Sequence, residues 1–122
     1  MKYVYTMLAF FISVSFAQEK ALKVFILAGQ SNMLGKRSKL TELPEHLKSP
    51  QKDVLFYSDK NGWQPITPGK TEKQGFGPEL SFGYEIQKLL GEKIGIIKYS
   101  IGGTNLHTQW NPKNPNSLYH KT

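Results

Sequence analysis

The chain has 122 residues, with 16 Lys+Arg against 9 Asp+Glu for a formal net charge of +7, and no Cys. That length holds one domain at most, since domains commonly run to roughly 100–200 residues. The absence of thiols excludes disulfides, thiolate metal sites and a cysteine nucleophile. Hydrophobic residues at 39% and aromatics at 12% argue for a packed core and against a disordered chain.

Residues 1–17, MKYVYTMLAFFISVSFA, carry Lys2 ahead of an apolar run that ends in Ser15-Phe16-Ala17. Small residues at the third and first positions before a cut are what a secretory signal peptide needs. The run falls short of the about 20 apolar residues of a membrane span. Cleavage before Gln18 is therefore expected, with a secreted or periplasmic product and no stable membrane anchor afterwards. The lysines, Lys36 and Lys98 among them, are scattered from Lys20 to Lys121 with no basic stripe. They read as solvated surface charge, and nucleic acid is not an expected partner.

Val24–Ala28 is a continuous apolar run stopped by Gly29, the pattern of a strand buried in a parallel sheet. Gln30 to Gly35 then form a small-polar turn. Residues 36–52 read as a long surface loop, with a helical turn near Glu42–Leu47 interrupted by Pro44. Asp53–Tyr57 is a second strand. Asn61-Gly62 makes a turn, and Trp63–Ile66 returns as a short paired strand. Pro78–Leu90 is the best helix: Gly77 and Pro78 open it, Gly91 closes it, and Glu79 lies beside its positive end. Its apolar stripe is Phe82, Ile86, Leu89 and Leu90. Ile94–Tyr99 is a third strand, ending in the glycine turn Ser100–Thr104.

Ligands of open α/β sheets bind beyond the carboxyl ends of the strands, so segments 29–35, 75–79 and 100–106 are expected to converge. Ser31 follows a buried strand directly, as an exposed nucleophile does, with backbone N–H groups nearby for an oxyanion. A serine there also serves as a plain helix cap. The competing phosphate-loop reading of Gly29 to Gly35-Lys36 has five residues between the glycines instead of four, and Arg37 where a hydroxyl belongs.

Val24–Gly35 (VFILAGQSNMLG) resembles the opening block of the SASA domain, the sialate O-acetylesterases and related carbohydrate acetylesterases within the SGNH hydrolases. Gly75–Phe82 (GFGPELSF) is similar to its second block and Tyr99–Trp110 (YSIGGTNLHTQW) to its third, and Asn116–Tyr119 (NSLY) resembles the segment that follows. The resemblance implies a three-layer α/β/α, flavodoxin-like fold with a parallel sheet, of which residues 18–122 are the N-terminal part. It implies ester hydrolysis on an acetylated carbohydrate such as acetylated xylan or sialic acid, with no cofactor or metal. Ser31 is the nucleophile it implies, with an oxyanion hole from the N–H groups of Ser31 and Gly77. Gln30, Asn32, Gly103, Thr104, Asn105 and Trp110 are its substrate-cleft candidates, and Trp63 and Trp110 suit stacking on sugar faces.

SGNH hydrolases take their base from an Asp-x-x-His block. Neither Asp53 nor Asp59 has His three residues on, and a serine hydroxyl without a base is a weak nucleophile. The expectation is a C-terminally incomplete esterase domain, inactive by itself. The alternative is a non-catalytic carbohydrate-binding protein on the same scaffold.

Overall fold

A computed structural model describes residues 21–71 and 75–121; the expected signal peptide, 1–17, lies outside them. Every strand and the long helix fall where the sequence places them. The strands are β1 (Lys23–Gly29), β2 (Gln51–Ser58), β3 (Gly62–Ile66) and β4 (Ile94–Ser100). The helices are the one-turn α1 (Ser31–Leu34) and α2 (Glu79–Leu90). Pro44, with no N–H to donate, separates two 3-10 turns, Leu40–Glu42 and Glu45–Leu47.

The sheet order is β1-β4-β2-β3. β1, β4 and β2 are parallel, and β3 returns antiparallel on β2. The α/β class is as expected. The third parallel strand stands between the first and second, whereas the flavodoxin order keeps the first strand in the middle. Gly29 pairs with Ser100, so the two strand-end turns leave the same end of the sheet side by side.

Alternation sorts the side chains. Phe25, Leu27, Val54, Phe56, Ile94 and Ile96 meet α2 in a core completed by Leu43, Leu47, Ile66 and Leu80. The helix buries the stripe read from the sequence only in part: Phe82 and Ile86 pack against the core. Leu80 is fully buried, while Leu89 is 79% and Leu90 38% exposed. Gly83 lets the helix close on the sheet, since a Cβ there would lie 2.7 Å from Val54 Cγ1 and 3.1 Å from Ile96 Cδ1. Leu89 lies about 120° round the helix from that line, and Leu90 is the last residue of the helix. On the opposite face Trp63 and Leu22 cover Gly95, and Trp63 meets Tyr57 edge-on at 5.3 Å. Val24 and Ile26 stay 42% and 55% exposed there.

Candidate active site

β1 delivers Ser31 to the carboxyl end of the sheet. Gln30 breaks the strand at φ −117°, ψ −150° and caps α1 with its own side chain. Its Oε1 accepts from Ser31 N at 3.0 Å and from Ser31 Oγ at 2.7 Å. Gly35 closes the turn at φ 71°, where a Cβ would also collide with the Phe76 carbonyl. The turn is no phosphate cradle. Leu34 N bonds Gln30 O, Gly35 N bonds Ser31 O and Asn32 O, and Ser31 N is held by Gln30, whereas a cradle needs such donors free and convergent.

A cleft of about 610 Å³ opens at Ser31, lined also by Asn32, Lys36, Arg37, Ser38, Phe76, Gly77, Pro78 and Ser81. The first and second sequence blocks therefore meet, as expected. Ser38 ties them: its hydroxyl donates toward Gly35 O and Phe76 O at 2.7 Å each and accepts from Phe76 N at 2.6 Å.

Gly77 reaches the cleft wall, and its N–H, the second donor of the expected oxyanion hole, is bonded to Glu79 Oε1 at 3.1 Å. Of the expected oxyanion pair, the Ser31 N–H alone faces the hydroxyl's own hydrogen-bond partner.

The third block joins only in part. Ile101 N donates to Gly29 O at 3.1 Å, and Gly102 sits beside Leu34 and Lys36. Gly103, at φ 78°, turns the chain with open space around it. Thr104 faces a separate concavity of about 450 Å³, shared with Thr108, Gln109 and Asn116. Asn105 spends its side-chain oxygen on Thr108 N and Oγ1, both at 2.9 Å. Trp110 is 8% exposed, donates Nε1–H to Thr104 Oγ1 at 2.9 Å and packs edge-on against Tyr99. A ring buried on both counts anchors its own loop and offers no face to a sugar. Trp63 lies over Gly95 and does not line the Ser31 cleft.

The family model for SASA, described as carbohydrate esterase, sialic acid-specific acetylesterase, matches residues 21–122. The chain belongs to the SASA family. An X-ray structure of an Arabidopsis thaliana protein is similar at TM-score 0.60 and 22% identity, over 81% of this chain and 47% of that one. The likeness is one of fold, and the chain spans just under half the length of that relative. No curated protein sequence matches.

Within this SASA chain, Glu79 and Lys98 are the site residues that sequence reasoning missed. Lys98 is 1% exposed and bonds Glu79 Oε2 at 2.8 Å, so it is a buried cation and not the solvated surface charge expected of it. Strand alternation gives the signal, because Lys98 shares the α2-facing side with Ile94 and Ile96. Lys36 and Arg37 read as loop charges, yet both line the cleft. Among the described residues no group of three or more His, Asp or Glu is placed to hold a metal ion, and no helix is long and apolar enough to cross a membrane.

Proposed function

We propose that the protein is a serine carbohydrate O-acetylesterase in which Ser31 is the nucleophile. The observation that carries this reading is the joint placement of Ser31 Oγ and Ser31 N. Both point at one oxygen, Gln30 Oε1, and Ser31 itself lines the cleft. In the reaction an acetyl carbonyl takes the place of that amide oxygen. Ser31 Oγ attacks its carbon, and the oxyanion that forms is held by the Ser31 N–H. An imidazole from an Asp-x-x-His block outside these residues takes the serine proton and passes it to the leaving sugar hydroxyl. Water then releases acetate by the reverse sequence.

The substrate is an acetylated glycan, with xylan esters and sialic acid esters both in range. Residues 1–17 direct export, so the mature enzyme works in a secreted or periplasmic setting without nucleic acid or a lasting membrane anchor. Residues 21–122 by themselves, lacking the imidazole, are expected to be inactive. Ser31→Ala in the full-length protein should remove turnover of p-nitrophenyl acetate and acetylated sugars to the uncatalysed level. Turnover that survives in a clean preparation sinks the assignment.

A second reading, carbohydrate binding without catalysis, draws on the bond from Ser31 Oγ to an amide and not to a base. It predicts saturable glycan binding, by calorimetry, in a wild-type protein that releases no acetate.

A further inference from the structure

We propose that Glu79 is a positioning residue of this esterase, whose carboxylate sets the cleft wall at Gly77 against the turn that carries the nucleophile. The proposal rests on the reading of Ser31 as nucleophile. The reaction as written uses neither Glu79 nor Lys98, yet their side chains are 0% and 1% exposed. A buried ion pair rarely repays the desolvation of both charges, and apolar replacements are often as stable. Fold stability is thus a poor reason for the pair.

The hydrogen bonds supply a better one. Glu79 Oε1 accepts from Thr71 Oγ1 at 2.6 Å and from Gly77 N at 3.1 Å, while Oε2 accepts from Lys98 Nζ at 2.8 Å. One carboxylate joins three segments: the loop ahead of the second block, the turn into α2, and β4. Gly77 is packed closely against α1: a Cβ there would strike the carbonyl of Met33, two residues beyond Ser31, and the Glu79 carboxylate itself. Displacing Gly77 from this contact breaks the bond from its N–H to Glu79 Oε1. The distance between the wall and the nucleophile's helix is therefore set by Glu79, and Lys98 holds the carboxylate in place. Acyl transfer is sensitive to such spacing, since a displacement of about 1 Å can cost about 100-fold.

The test uses two double substitutions that both remove the buried charges. Glu79→Gln with Lys98→Met keeps an Oε1 acceptor for Gly77, whereas Glu79→Leu with Lys98→Met does not. In the full-length protein, kcat and KM for p-nitrophenyl acetate, the melting temperature, and the amide NMR signals of Ser31 and Gly77 are compared. Both variants should fold. The Gln/Met variant should keep kcat within about threefold. The Leu/Met variant should lose about tenfold or more in kcat with KM changed less than about twofold, and only there should the Ser31 amide signal move. A folded Leu/Met variant with wild-type kcat, or equal losses in both variants, overturns the proposal. If wild type hydrolyses no acetyl ester, the nucleophile reading has failed, and the Ser31 signal still judges the positioning: an unmoved signal in the Leu/Met variant overturns it. Should that variant not fold, Thr71→Val removes one donor to Oε1. A kcat lowered about threefold at constant KM is then expected, and an unchanged kcat overturns the proposal.

Discussion

The side-chain oxygen of Gln30 accepts from both the backbone N–H and the hydroxyl of Ser31, at 3.0 and 2.7 Å. One amide group thus caps α1 and fills the position that the proposed esterase reading gives to the ester carbonyl. On that reading an incoming ester has to displace it, in the ground state and the transition state alike.

Gln30→Ala should therefore separate two effects. Losing the cap costs about 1 kcal/mol, read as a melting temperature lower by roughly 4–8 °C. Removing the competitor should lower KM for p-nitrophenyl acetate by about two- to fivefold with kcat little changed, as expected when a uniform binding term is altered. A raised KM would show instead that Gln30 holds the substrate.

Gly77→Ala places a methyl group against the Met33 carbonyl and the Glu79 carboxylate, with Lys98 Nζ 2.8 Å away. Two of these are polar groups that cannot retreat without breaking bonds, so the loss should be about 3 kcal/mol. Urea denaturation with an unchanged m-value measures it. A loss below about 1 kcal/mol would mean that the turn is looser than its contacts indicate.

Gly83→Ala pits two effects against each other. Alanine gains about 1 kcal/mol over glycine in a helix interior. The new Cβ would lie 2.7 Å from Val54 Cγ1, and overpacking costs about 1–3 kcal/mol. Packing should win, giving a net destabilisation of about 1 kcal/mol. Gly83→Ala with Val54→Ala should recover part of the alanine gain, and denaturation of the single and double variants forms the cycle that checks this.

Trp110→Phe keeps a buried ring but drops the bond to Thr104 Oγ1. Its expected cost is about 1 kcal/mol, against about 3 kcal/mol or more for Trp110→Ala. Neither should change affinity for a sugar as the loss of a stacking platform would. Glycan binding weakened by Trp110→Phe in a fully folded protein would restore the tryptophan to the substrate cleft.

The sequence made the strands legible because a continuous apolar run such as Val24–Ala28, and short runs bounded by Gly and Pro, have few other homes. The position of Ser31 at the carboxyl end of the sheet was legible for the same reason, since it follows the end of such a run. The buried side of α2 was legible only in part. Counting large apolar residues selects Phe82 and Ile86, which do pack on the core, together with Leu89 and Leu90, which do not, and passes over Leu80 and Gly83. The burial of Lys98 shows in strand alternation, which puts it on the side of β4 that faces α2, and not in the spread of lysines along the chain. The third block shows a further limit. A motif brings Thr104, Asn105 and Trp110 to one neighbourhood, but Trp110 donates to Thr104 and the Asn105 side chain accepts from Thr108, so these polar groups are spent within the loop.

The pairing of β1 has a mechanical consequence. Among the described residues β1 is bonded to β4 alone, in unbroken register from Lys23 with Ile94 to Gly29 with Ser100. The bond from Ile101 N to Gly29 O extends that ladder one step into the turns. The turn bearing Ser31 and the turn bearing Gly102 and Gly103 are thus cantilevered from a shared two-strand beam. A ligand or residue that pulls on one glycine turn pulls on the serine with it, and the serine's neighbourhood should respond as a rigid whole.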